Sequence, residues 1–270
     1  MDFSVLTSLY IKARKDEFEA TLHSIWDDQT LKPSEIVVVK DGPLPDELEN
    51  FLDACADKYP LKFVRLAQAS GLGEALRQGV LACSHEIIAR MDGDDIAVSD
   101  RFEKQIGYMS EHPDVVLLGG AIQEFGDSLE DLLGKRVPPT DADNIRKFAK
   151  YRNPFNHMTV CFRKSAVLAA GNYVPLDGYE DYWLWCRMLA DGGKGANLPE
   201  VLVYARAGAD MIRRRRGWKL AKSEARLAEL QHGIGFISAG EMWRNIFLKG
   251  GARLIPVRCL KLVYNFLRSK

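Results

Sequence analysis

Carboxylates gather at two places in this 270-residue chain. Asp92-Gly93-Asp94-Asp95 sets three acids within four residues, after the apolar Ile87-Ile88-Ala89. Three like charges at a strand end repel one another unless a cation is present, and Mg²⁺ typically takes one or two carboxylates plus substrate phosphates. The plainer alternative is a solvated acidic turn. Glu180-Asp181 stands at an expected helix start, where the positive end of the helix dipole favours an ionised acid. Such a group either accepts a proton in a reaction or is ordinary helix-start charge. His157, after Asn156 at an expected strand start, is either a ligand, since imidazole can bind Mn²⁺, or a structural histidine. Gly71-Leu72-Gly73 precedes a helix but lacks both G-x-G-x-x-G and the G-K-[ST] ending, so it reads as a turn and not as a phosphate loop.

The elements that must position these groups alternate over the first hundred residues. Residues 3–10 read as a strand, and 15–28 as a helix with Phe18, Leu22, Ile25 and Trp26 at helical spacing. Residues 36–39 are a continuous β-branched run, as in a strand buried on both faces. A helix over 45–57, a strand over 61–66, a helix over 71–82 and a fourth strand over 85–91 follow. This β-α-β-α-β-α-β order predicts an α/β fold with a mainly parallel sheet and helices on both faces. Ligands of such sheets sit beyond the carboxyl ends of the strands, which is where Asp92, Asp94 and Asp95 fall. Past residue 100 the reading is a helix near 99–111, a strand at 115–118, a loop over 126–140, a short helix at 141–149, a strand at 157–162, a helix from Glu180 to about Ala190 and a strand at 201–204. Residues 211–268 read as helix, broken near Gly233-Gly235 and Pro256.

Composition excludes several classes. Hydrophobic residues make up 47% and charged residues 27%, values of a soluble globular protein and not of collagen, a stalk or a disordered chain. No apolar run reaches the roughly 18 residues of a spanning helix, and Met1-Asp2-Phe3-Ser4 predicts no secretory signal. Five scattered cysteines predict reduced cytosolic thiols, with no disulfide framework or zinc site. The net charge of zero conceals an asymmetry: residues 206–270 hold 15 Lys and Arg against 4 Asp and Glu, so this tail carries +11 and the body −11. A basic tail usually meets phosphate.

Several segments, in order, resemble the family-2 glycosyltransferases, nucleotide-sugar enzymes with a Rossmann-like GT-A fold. They are Ser4-Val5-Leu6 leading to Tyr10, Val37-Val38-Val39-Lys40-Asp41-Gly42, Gly71-Leu72-Gly73-Glu74-Ala75-Leu76, Arg90-Met91-Asp92-Gly93-Asp94-Asp95, Arg101 with Gln105, Asn153-Pro154 with His157, and Gly178-Tyr179-Glu180-Asp181 with Leu184-Trp185 and Arg187. The resemblance covers residues 3–205 and is closest to the subgroup that builds bacterial exopolysaccharide and O-antigen. It implies a catalytic domain over 1–205, with a nucleotide-binding half (1–100) and an acceptor-binding half (101–205), and a helical extension over 206–270.

The resemblance also implies roles. Ser8, Tyr10, Asp41, Gly71, Arg77, Arg90, Asp92 and Asp94 would bind the nucleotide sugar, with Asp41 accepting from a uracil or guanine ring N–H or serving only as a turn residue. The family often has two acids there; here the first is Lys40. Many members have proline at Ser8 and asparagine at Arg77. Mn²⁺ or Mg²⁺ would be held by Asp94, Asp92 and Asp95. Asp181 would be the base that deprotonates the acceptor hydroxyl, with Glu180 beside it. His157, Trp185 and Arg187 would lie near the acceptor or diphosphate. The expected activity is inverting transfer from a nucleotide-diphosphate sugar, UDP-linked, to a saccharide acceptor carried on polyprenyl diphosphate. Its alternatives are a sugar nucleotidyltransferase, against which the glycine-free Lys12-Ala13-Arg14-Lys15 argues, and a non-catalytic membrane-associated protein retaining the fold. Apolar residues interspersed with Lys and Arg over 239–268 predict amphipathic helices on an anionic membrane surface, with the chain at the cytoplasmic face of the cell membrane. The alternative is that they pack on the body. No nucleic-acid-binding module accompanies the charge, so no nucleic-acid partner is expected.

Overall fold

The computed structural model describes residues 1–207 and 217–250. Strands β1 (Phe3–Tyr10) and β2 (Glu35–Asp41) bury Val5, Leu6 and residues 36–39 without exposure, which requires cover on both faces of the sheet. Helices α1 (Lys15–Ile25) and α2 (Asp46–Cys55) supply it on one face, where Phe18, Leu22, Ile25, Leu48 and Leu52 join Phe3, Val5, Ile36 and Val38 in one core. Helix α3 (Leu72–Ala82) closes on Leu6 and Val39 from the other. With β3 (Leu61–Arg65) and β4 (Ile87–Arg90), the order β3-β2-β1-β4 is parallel throughout. The register aligns Tyr10 with Asp41 and Leu6 with Arg90, so the carboxyl ends of β1, β2 and β4 share one edge.

Beyond β4 the sheet is mixed. Its remaining strands are β5 (Ile96–Ala97), β6 (Val115–Phe125), β7 (Leu132–Arg136), β8 (Cys161–Arg163) and β9 (Lys194–Arg206). The order continues β8-β6-β9-β5, with β7 paired to β6. Strand β8 runs antiparallel to β4 and β6, while β6 and β9 are parallel. The expected mainly parallel arrangement therefore holds for β3-β2-β1-β4 and for the β6–β9 pair, while β8, β7 and β5 run antiparallel to their neighbours.

Four sequence expectations change. The strand expected at 115–118 runs on to Phe125, and the one expected at 201–204 begins at Lys194. Gly119-Gly120 hid this, since glycine is a poor strand former; the space of each missing Cβ is filled by Asn197 and Leu202 of β9. The expected 126–140 loop contains β7. The strand expected from residue 157 starts at Cys161, because residues 157–159 wind into a 3₁₀ turn in which the Thr159 hydroxyl donates to the Asn156 carbonyl at 2.7 Å. The other helices of this region are α4 (Arg101–Glu111), α5 (Ala142–Phe148), α6 (Lys164–Ala169) and α7 (Glu180–Ala190).

The chain divides into two compact units. The larger holds residues 1–175 with 180–207. The smaller holds α8 (Trp218–Gly233), α9 (Ala239–Asn245), a π-helical turn at Ile246–Gly250 and the short segment Leu176–Tyr179. Ser238 and Glu241 form a capping box at the start of α9. The helical reading of 251–268 lies outside the described residues.

Candidate active site at the carboxyl edge of the sheet

The Asp41 carboxylate accepts the amide of Ser70 at 2.6 Å and that of Gly71 at 3.0 Å. Gly71 has φ +88°, a conformation that suits glycine. Asp41 thus fixes the chain that leads into α3. Tyr10, its register partner, is 46% exposed, and Ser8 lies on the same face of β1. Lys40 is buried with its ammonium on Glu49 and 4.5 Å from the Phe63 ring centroid, so strand alternation leaves Asp41 alone at the edge. Arg77 pairs with Glu74 one turn back, Nε to Oε2 at 2.7 Å, and that bond holds the Glu74 carboxyl down at about 2.

The acidic turn divides into three jobs. Arg90, fully buried, grips Asp92 with both terminal nitrogens, Nη1 to Oδ2 at 2.7 Å. Asp95 turns inward: it accepts the Arg206 amide at 2.7 Å, and its carbonyl accepts the Thr21 hydroxyl. Burial, then the charges of Asp92 and Asp94, raise its carboxyl well above the usual range, as befits a neutral structural group. Asp94 is pushed up to about 6, chiefly by burial and then by Asp92 and Glu17, with Arg90 opposing. Among the described residues no three acid, His or Cys side chains converge as a ready-made metal cage. Of the three expected ligands, Asp92 is paired with Arg90 and Asp95 bonds the Arg206 amide of β9, which leaves Asp94 without such a partner. What remains fits a hard cation all the same. A solvent-accessible carboxylate crowded by like charge gains from one, and Mg²⁺ needs few carboxylates when a diphosphate supplies the rest.

The second acidic pair opens α7. Asp181 Oδ2 accepts from Asn153 Nδ2 at 2.7 Å and lies 4.0 Å from His157 Nδ1. Burial raises its carboxyl above the ordinary value, against the pull of the Tyr182 amide, Asn153 and Arg90. Helix-start charge alone predicts the opposite direction; desolvation outweighs it. Glu180 stands beside α3, where a Cβ on Gly73 would come within 2.8 Å of its Cγ.

His157 is bound at Nε2 by the Tyr173 hydroxyl at 3.0 Å, and burial holds its pKa well below the usual value, so the ring is neutral. Trp185 is wholly buried, edge-on to His157, Tyr173 and Phe155, which makes it a packing residue and not an acceptor platform. Arg187 donates to the carbonyls of Ala170 at 2.5 Å and Asn172 at 2.7 Å, and so ties down that turn instead of facing a diphosphate. Two contributors were missed as site residues. Asn153 was legible only through the Asn-Pro pair; Tyr173 gave no signal. Arg90 links the whole edge: its charge acts on Asp92, Asp94 and Asp95 at one end and on His157, Tyr173 and Asp181 at the other.

Residues 4–169 match the family model of glycosyl transferase family 2. The chain belongs to that family. Of curated relatives, the amylovoran biosynthesis glycosyltransferase AmsE of Erwinia amylovora is 44% identical over 265 residues, 97% of each chain. The UDP-Gal:alpha-D-GlcNAc-diphosphoundecaprenol beta-1,3-galactosyltransferase of Escherichia coli is 34% identical over 263 residues, 97% of this chain and 94% of that one. In fold this glycosyltransferase is similar to the mannosyltransferase PcManGT of Pyrobaculum calidifontis, solved with GDP-Man and Mn²⁺. The TM-score is 0.64 at 14% identity, covering 99% of this chain and 80% of that one. The α/β sheet described above is thus of the GT-A type, and glycosyl transfer displaces the nucleotidyltransferase alternative.

Proposed function

We propose that this family-2 enzyme is an inverting glycosyltransferase of bacterial surface-polysaccharide synthesis, moving a sugar from a UDP-linked donor to a lipid-linked saccharide. The observation that carries this reading is Asp181, a desolvated carboxylate oriented by Asn153 at the same edge as Asp94. The kinship with AmsE and with the diphosphoundecaprenol galactosyltransferase supports the substrate classes. The nucleobase lies against Tyr10 and beside Asp41 in this reading, with Ser8 and Gly71 framing the donor, Arg90 acting through Asp92, and Arg77 on α3 held by Glu74. A Mg²⁺ or Mn²⁺ held by Asp94 would supply charge neutralisation to the departing diphosphate. Asp181 removes the proton from the acceptor hydroxyl as that oxygen attacks the anomeric carbon from the face opposite the leaving group. Glu180 and neutral His157 line its surroundings. The test is a panel of UDP-sugars with a polyprenyl-diphosphate-linked sugar, following UDP release and the anomeric configuration by NMR. A retained configuration overturns the single-displacement reading.

Asp41 gives a separate check. In Asp41→Asn an NH₂ replaces one of the two oxygens that receive the Ser70 and Gly71 amides. Losing a charge-assisted bond costs about 1.5–3 kcal/mol, so UDP binding in a calorimetric titration is expected to weaken about tenfold or more. Unchanged affinity removes Asp41 from the nucleotide site.

The basic tail supports work at the inner face of the membrane, where anionic lipid attracts Lys and Arg. No helix among the described residues is long and apolar enough to cross a membrane. Full-length protein is expected to bind vesicles containing anionic lipid and to release as salt rises, because exposed charges are screened. Equal retention on neutral vesicles contradicts this role.

A further inference from the structure

His157 Nε2 lies 3.0 Å from the Tyr173 hydroxyl, and its Nδ1 lies 4.0 Å from Asp181 Oδ2. The ring therefore stands between a phenol and the carboxylate proposed as the base. Tyr173 is wholly buried and is held by a device of its own. Asn172 is the one non-glycine residue with a positive φ among the described residues, at +60°. That left-handed conformation is uncommon outside glycine, and such strain persists where the surroundings enforce it. Here the Asn172 side chain accepts the Tyr173 amide at 2.7 Å and donates to the Arg77 carbonyl at 3.1 Å. Arg187 donates to the Asn172 carbonyl at 2.7 Å. Trp185 packs edge-on against both the Tyr173 and the His157 rings. Strain and bonding thus converge on placing one hydroxyl at Nε2. A ring without that hydroxyl would pack as well, so the hydroxyl is the part that packing leaves unexplained.

We infer that Tyr173 is a positioning residue for glycosyl transfer: its hydroxyl donates to His157 Nε2, which puts the ring proton on Nδ1, facing Asp181. The direction of the bond follows from charge. A neutral imidazole has one N–H and one lone pair, and the bond made at one nitrogen decides which atom carries the proton. The opposite arrangement aims the Nδ1 lone pair at an ionised carboxylate, which is repulsive. With the proton on Nδ1, its positive end joins the Asn153 amide at Oδ2, so two donors orient Asp181 from one side. A separation of 4.0 Å is longer than a hydrogen bond, and such contacts at catalytic groups often tighten only when substrate is bound. Neither group changes protonation in the reaction: burial holds the ring neutral and keeps the phenol protonated. The charges acting on Tyr173 are Arg90 of β4, Asp92 of the acidic turn, and Asp181 and Glu180 of α7. The inference rests on Asp181 as the base.

The experiment measures kcat, UDP affinity and Tm in the full chain for the parent, Tyr173→Phe, His157→Asn, their double variant and Asp181→Asn. It also reads the His157 tautomer of the parent from ring-nitrogen NMR shifts, assigned by the signals that His157→Asn removes. The parent carries the proton on Nδ1; a proton on Nε2 overturns the inference. Tyr173→Phe lowers kcat about tenfold, since a misplaced reacting group is costly in rate, with UDP affinity within twofold of the parent. In the His157→Asn background the same change alters kcat by less than twofold, because the hydroxyl no longer has a ring nitrogen to act on. Losses that simply multiply in the double variant overturn the action through His157. A kcat within twofold of the parent in Tyr173→Phe, beside a collapsed Asp181→Asn, overturns the positioning role alone. Rate losses that only follow a lowered Tm also overturn it. Near-normal turnover in Asp181→Asn overturns the base assignment and this role with it.

Discussion

Asp181→Asn is expected to lower kcat by about 10²–10⁴-fold, the usual worth of a general base. The amide keeps the size of the side chain and can still meet Asn153, which donates to Oδ2 at 2.7 Å in the parent, but it has no basic lone pair. Nucleotide affinity is expected to stay nearly unchanged, because the lost interaction belongs to the transition state. The pH profile gives a second reading. A base works only when deprotonated, so the rate falls as pH drops through its pKa. Burial raises that pKa, so the acid limb lies above the range of an ordinary carboxylate. Asp181→Asn abolishes the limb along with the rate, whereas Glu180→Gln shifts both less. Near-normal turnover with the limb intact would reassign the base.

Removing the cation is expected to be comparably damaging. Asp94→Ala deletes the one acid of the turn not committed to Arg90 or to β9, and activity should fall by orders of magnitude with Tm little changed. Excess chelator should have the same effect on the parent, reversed by Mn²⁺ or Mg²⁺. Because the Asp94 carboxyl is pushed up to about 6 without a cation, a proton competes with the cation at and below that pH. Cation affinity should therefore weaken as pH falls through that range. Full activity in excess chelator sinks the metal reading. Asp95→Asn offers a contrast, since Asp95 is buried against β9 and bonded to the Arg206 amide; it should cost far less rate than Asp94→Ala.

The donor edge was legible because its signals are local. A β-branched run predicts β2, so Asp41 follows at its end; Ile87-Ile88-Ala89 does the same for the acidic turn. Glu180-Asp181 was legible as a helix start. Side-chain direction was not. Lys40 and Asp41 are neighbours in sequence, yet strand alternation sends one under Phe63 and the other to the edge. Asp92, Asp94 and Asp95 look equivalent in one dimension. What separates them is a buried guanidinium two residues upstream and a backbone amide from a strand more than a hundred residues away. The surroundings of Trp185 and Arg187 stayed hidden for a similar reason: an aromatic cage and two carbonyls from the 170–172 turn, none of them sequence neighbours, decide what they face. The long β6–β9 pair stayed hidden because its middle is Gly119-Gly120, where pairing is set by the partner strand and not by local preference.

Arg90 has a consequence for how such an enzyme can diverge. One enclosed charge acts on Asp94 and Asp95 in the acidic turn and on Asp181, the proposed base, at the start of α7. A substitution that retunes Asp94 for a different leaving group alters how far the guanidinium is neutralised, and so moves the potential at Asp181. Effects at the two ends should then depart from additivity, as they do for residues sharing one charge network. A new donor preference would drag the base out of tune until a second change restored it. Lineages exploring other sugars would therefore show epistasis between the acidic turn and the start of α7.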